Sequence, residues 1–305
     1  MSPSFKIRSL LAPAAFVAVA ALAPTTASAD AVAQAYLDLT NFGLTTTGVY
    51  TVGAYTDSGD VSASINGGVA ATAAFNATGA FTLNQSVGPN AGSYAPLTAL
   101  VGAPTQNYVG SYSFLNGGNP ATSGVQAAVD DTVSLHPGGV GTAQSNTNLT
   151  ATFLIDVLSP GAVFTVAFDA NAFWRTMLSP FGASGTSNAA YSWDILVRDA
   201  SGAQVFYWAP DGAVNTSIFG GTENADGFDL SQGAGINFGG FDFSHADSGR
   251  FSATTNPFVA GIYSLTIQHN ANADATMRVP EPDALSLLAL GLLGLGFIAR
   301  RRNQV

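Results

Sequence analysis

The chain has 305 residues, of which only 9% are charged, no cysteine, and a formal net charge of −10. Without thiols there are no disulfides and no thiol chemistry, and an acidic chain repels phosphate backbones, which excludes nucleic acid as an expected partner. Between residues 30 and 279 the imbalance deepens: four arginines (Arg175, Arg198, Arg250, Arg278) face 17 carboxylates, 16 of them Asp, with no lysine, for a formal charge of −13. Asp favours turns over helices, and together with abundant Gly, Ala, Ser, Thr and Asn it predicts an all-β domain with polar loops.

The N-terminus reads as an export signal. Lys6 and Arg8 form a positive start, Leu10 to Ala23 an apolar stretch, and Ala27-Ser28-Ala29 a small-residue cleavage site. This predicts a signal peptide over residues 1–29, an N-terminal helix removed by signal peptidase to leave Asp30 first.

Residues 30–278 are expected to form one secreted β-sandwich, jelly-roll-like, because short strand patterns alternate with turn signals. Ala31 to Leu39 and Gly48 to Tyr55 read as early strands with small side chains. Ser58 to Gly124 is poor in large apolar residues and is expected to hold thin edge strands or a long excursion. Leu149 to Val157 places Leu149, Ala151, Phe153, Ile155 and Val157 on one face by its period of two. Phe164 to Phe168 and Gln204 to Trp208 are shorter and more apolar, as expected of central strands buried on both faces. Tyr191, Trp193, Ile195 and Val197 alternate with polar or mixed neighbours and read as a half-buried strand; Tyr263, Leu265 and Ile267 repeat the pattern. Ala271 to Arg278 reads as a link to the tail.

Catalytic motifs are missing from this span. The three histidines (His136, His245, His269) match no zinc spacing, and no Gly-x-Ser-x-Gly elbow occurs. Two weaker sites can be drawn. Glu223, Asp226, Asp229, Asp242 and Asp247 could supply the oxygen ligands that calcium takes, with Gly227 allowing a sharp turn, although the spacing is not that of an EF-hand. Trp193 and Trp208 could stack on sugar rings, with core packing as the competing expectation from their alternation.

The C-terminus has three parts. Pro280-Glu281-Pro282 keeps the backbone extended, Ala284 to Ala299 is uncharged and apolar, and Arg300-Arg301-Arg302 forms a basic stop. A helix over 284–299 would span about 24 Å at ~1.5 Å per residue, short of the ~30 Å hydrocarbon core, and so predicts a marginal transmembrane helix. The arginines favour the cytoplasmic side, which puts the preceding domain outside.

In order, spacing and terminal position, residues 279–305 resemble a PEP-CTERM sorting domain, the substrate signal of exosortases in Gram-negative bacteria. The resemblance implies that an exosortase in the inner membrane recognises Pro280-Glu281-Pro282, removes the tail and passes the protein to the cell surface or extracellular matrix. A second resemblance rests on Ala33-Gln-Ala-Tyr-Leu-Asp-Leu-Thr-Asn-Phe42, Tyr191-Ser-Trp-Asp-Ile-Leu-Val197 with Trp208-Ala-Pro210, and Ile262-Tyr-Ser-Leu-Thr-Ile267. These segments resemble a family of exosortase-dependent surface proteins that has no assigned activity. The sequence therefore points to a non-enzymatic surface or matrix protein, with exopolysaccharide as a candidate partner. The alternative is a carbohydrate-binding module or polysaccharide hydrolase, with calcium as a candidate stabilising ion.

Overall fold

The computed structural model describes residues 30–65, 71–78, 82–87, 108–116, 125–135, 141–179 and 183–278. The signal helix and the C-terminal apolar helix expected from the sequence lie outside these residues. The described residues form fifteen strands and no helix. In chain order they are β1 (Asp30–Thr46), β2 (Tyr50–Ile65), β3 (Ala71–Thr78), β4 (Thr82–Val87), β5 (Tyr108–Asn116), β6 (Val125–Leu135), β7 (Gly141–Val157) and β8 (Phe164–Ser179). They continue as β9 (Ser184–Asp199), β10 (Gln204–Trp208), β11 (Ile218–Phe219), β12 (Gly221–Ala225), β13 (Gly233–Phe238), β14 (Phe241–Thr255) and β15 (Gly261–Arg278).

Strands that alternate in polarity expose one apolar face, and two such sheets bury their faces against each other. One sheet has the order β12-β14-β8-β1-β6-β5-β4; the other runs β11-β10-β9-β15-β7-β2-β3, with β13 added beside β9. All named pairings are antiparallel. From β6 to β9, and again from β11 to β15, every connection crosses between the sheets. The expected all-β, two-sheet architecture is present, with β1 and β15 in opposite sheets.

The expected inward faces of β7 and β9 are buried: Leu149, Ala151, Phe153, Ile155 and Val157 on one, Tyr191, Trp193, Ile195 and Val197 on the other. On β15, Tyr263 and Leu265 are buried and Ile267 is partly so. Large rings fill the centre. Phe168 lies 4.6 Å from Trp193, 5.7 Å from Trp208 and 5.0 Å from Phe251, measured between ring centroids.

Two expectations are corrected. Burial on both faces does not fall on Phe164–Phe168 or Gln204–Trp208, where Thr165, Ala167, Val205 and Tyr207 are only half-buried. It falls on Ala31–Leu37 of β1 and Ala128–Leu135 of β6, whose small and polar residues carry no continuous apolar signal. Residues 271–278 are also no link. They continue β15 to its end, with Ala271, Ala273, Ala275 and Met277 buried between the sheets. Alanine has weak strand propensity, so only the pairing with β7 and β9 makes this segment a strand. The described parts of Ser58–Gly124 include β3 and β4, which are the outermost strands of their sheets, as expected for thin edges.

Both ends of the described domain emerge at one pole. Asp30 pairs with Ser179 in the first sheet and Arg278 with Ser184 in the second, and the short connection between β8 and β9 joins those two partners.

Candidate functional site

The sorting segment begins where the sandwich stops. Met277 is buried and Arg278 is the last paired residue of β15, so Pro280, Glu281 and Pro282 follow within four residues of the fold. These three, Arg300 to Arg302, and Ala27 and Ala29 at the expected signal cleavage site all lie outside the described residues.

The five acids considered for calcium are dispersed by the register of β14. Glu223 sits opposite Ala253, whereas Asp242 lies eleven residues back along the same strand, about 36 Å away at ~3.3 Å per residue. One ion cannot bridge them. Each carboxylate also has its own partner. Glu223, buried at 4% exposure, accepts from Trp208 Nε1 through one oxygen and from the Asn215 N–H through the other. The Glu223 N–H in turn donates to Asn215 Oδ1 at 2.7 Å. Asp226 accepts from the Asp211 and Gly212 N–H groups at 3.1 and 3.0 Å, and burial, followed by the Glu223 charge, pushes its pKa up. Asp229 accepts from the Ser231 N–H at 2.7 Å, Asp242 is held by Arg175 through two contacts at 3.0 and 2.9 Å, and Asp247 lies 2.6 Å from His245 Nε2. Among the described residues no group of three or more His, Cys, Asp or Glu is arranged to hold a metal ion. Gly227 serves a close approach instead of a calcium turn: a Cβ there would come within 2.9 Å of the Gly249 Cα.

Trp193 and Trp208 are 1% and 0% exposed, with ring centroids 5.7 Å apart, so neither presents a face to a sugar. Their positions in the alternating pattern put both on the inward faces of β9 and β10. The carbohydrate reading therefore loses the two residues on which it was built. The nearby Tyr191 phenol is likewise buried, and burial, then the charges of Asp247 and Asp229, raises its pKa far above the usual range.

Two titratable groups lie between the sheets without hydrogen-bond partners at named atoms. His269, 2% exposed, has neither ring nitrogen in a well-formed hydrogen bond; burial, only partly countered by the Leu37 backbone, holds its pKa down at about 3. It is therefore a neutral core imidazole. Asp57, also 2% exposed, has an unpartnered Oδ1, and burial pushes its pKa up to about 6.

The exposed chemistry lies along the first half of β14, which pairs with β8 alone up to Phe251; β12 joins β14 only from Ser252 to Thr255. Phe241 contacts Phe238 and Phe243 at centroid distances of 4.8 and 5.5 Å, and Phe238 and Phe243 are 57% and 46% exposed. Trp174 and His245 follow, 5.8 Å apart. Sequence reasoning passed over this row, although Phe238-Gly-Gly-Phe-Asp-Phe243 packs three aromatics around a glycine turn, which is itself a visible signal.

The described residues thus form an all-β, two-sheet domain whose last strand ends where the C-terminal segment begins. Residues 278–302 match the family model described as the PEP-CTERM protein-sorting motif, so the chain carries a PEP-CTERM sorting segment at its C-terminal end. Comparisons with curated proteins and with solved structures find no match.

Proposed function

We propose that the chain is a non-enzymatic surface or extracellular-matrix protein of a Gram-negative bacterium. It is exported by a signal peptide over residues 1–29, held transiently in the inner membrane by an apolar helix over 284–299, and released when an exosortase acts at Pro280-Glu281-Pro282. The observation that carries this reading is the sorting motif at residues 278–302, which starts at the last residue of the sandwich. A processing enzyme at the membrane thereby meets an extended, proline-stiffened strip next to a folded domain. The acidic, lysine-free composition of residues 30–279 supports a soluble, strongly hydrated product that stays clear of polyanions. Exopolysaccharide is the expected surrounding of such a product, with neutral glycans preferred over anionic ones.

The test is cellular. With Glu281→Ala, full-length protein should accumulate in the membrane fraction and the released form should disappear. Unchanged release would refute processing at this motif.

A further inference from the structure

We infer that the pole bearing Asp30 and Arg278 rests against the outer face of the inner membrane while the tail holds the chain, with Phe238, Phe241 and Phe243 entering the lipid interface. The inference rests on the membrane hold proposed above and adds an orientation and a contact surface to it.

The register puts the chain ends and the aromatic row together. Ser184 pairs with both Arg278 and Phe238, and Leu178, next to the Asp30 partner Ser179, pairs with Phe241. The intervening glycines are pinned to the same pole: the Gly239 N–H donates to the Ala183 carbonyl at 2.9 Å and the Gly240 N–H to the Leu178 carbonyl at 2.7 Å. Five residues, 279–283, separate Arg278 from the apolar run at Ala284, and fully extended they reach about 18 Å at ~3.5 Å each. A membrane-held tail therefore keeps this pole within reach of the headgroups, and the export signal leaves from the same pole at Asp30.

Aromatic side chains favour the membrane–water interface, where a ring can leave water while polar neighbours stay wet. Among the described residues, Phe238 and Phe243 are the exposed large apolar side chains that meet this condition at the membrane-proximal pole, and Phe241 joins them into one row. Arg175 lies opposite Ser244, on the other face of the sheet from Phe241 and Phe243, and is already neutralised by Asp242, so no unpaired cation of that pair is forced toward lipid. Val49, Leu158 and Val259 are also exposed, but they sit at the opposite pole. The seventeen steps of β15 separate the two poles by on the order of 50 Å at ~3.3 Å per residue, so one flat bilayer cannot serve both.

The absence of native cysteine makes the test direct. The full chain is reconstituted on phosphatidylcholine vesicles carrying a nitroxide lipid, with an environment-sensitive fluorophore placed at Asn237→Cys or, at the far pole, at Asn256→Cys. The label at 237 should be blue-shifted and quenched several-fold more than the label at 256. Adding Phe238→Ser and Phe243→Ser should abolish that difference while the chain still floats with the vesicles and keeps its near-ultraviolet circular dichroism. Quenching at 237 that survives loss of both rings would overturn the docking, as would a water-accessible label at 237 on vesicle-bound chain. A disulfide between vesicle-bound copies through Asn237→Cys would point to a second copy as the occupant and overturn it as well. If the chain does not float with vesicles at all, the membrane hold fails and the docking fails with it.

Discussion

Two regions of the same interior treat buried polar groups differently. Around Trp208 the core is made of large rings, and its one carboxylate, Glu223, receives a donor at each oxygen. On β2 and β15, which flank β7 in the other sheet, Asp57 and His269 are enclosed with atoms that lack a well-formed hydrogen bond. Burial alone does not separate the regions, because all three groups are almost fully enclosed. The supply of partners does. Burial without well-formed hydrogen bonds disfavours the charged form, and it does so at Asp57 and His269. The first region should therefore respond mainly to changes in packing, the second mainly to pH.

The largest expected effect is on the first region. Trp208→Ala removes a fully buried ring and a donor to Glu223, and should cost about 3–5 kcal/mol in urea unfolding. A loss below ~1 kcal/mol would break the claim that this ring organises the core.

The second region is sharpened by pH. The folded pKa of His269, about 3, lies below its ordinary value near 6.5, so the folded state binds fewer protons there than the unfolded state and stability falls as pH drops through that window. Asp57 works in the other direction. Its folded pKa of about 6 lies above its unfolded value of 3.8, so stability rises as pH falls from about 6 to about 4. Between those values the two slopes, each about 1.4 kcal/mol per pH unit, oppose one another. Asp57→Asn should raise stability at pH 7 by roughly 2 kcal/mol and leave a steeper acid loss, because nothing then offsets His269. His269→Leu should flatten or reverse that loss. Thermal unfolding of the three proteins at pH 4, 5, 6 and 7 tests this, and parallel curves would sink the contrast between the regions.

The smallest effect belongs to the surface. Arg175→Ala breaks the two-point contact with Asp242, whose side chain is 48% exposed, and should cost no more than about 1 kcal/mol, less at high salt. A cost as large as that of Trp208→Ala would mean that the exposed edge, and not the aromatic centre, carries the fold.

Much of the strand layout was legible in advance, where large apolar residues alternate with polar ones. Tyr191 to Val197 is the clearest case: a period of two admits one inward face, and the chemistry leaves no choice of which. The same rule that predicted the strand also decided against Trp193 and Trp208 as ligand platforms, since inward residues are core residues. Ala271 to Arg278 was not legible, because alanine packs between sheets without a strong strand preference of its own. The calcium set failed for a different reason. Glu223 to Asp247 are close in sequence, but an extended strand spends about 3.3 Å on every residue, and β14 carries its two ends far apart.

What the sequence determined by itself is a C-terminal sorting motif and, before it, an acidic β-rich domain. These are local properties, written in consecutive residues and in composition. Only the tertiary structure decided which carboxylates find donors, which aromatics are hidden, and that Asp30, Arg278 and the Phe238–Phe243 row share one pole. Those outcomes depend on strand register between residues tens to more than a hundred positions apart, and register is set by the packing of two whole sheets against each other.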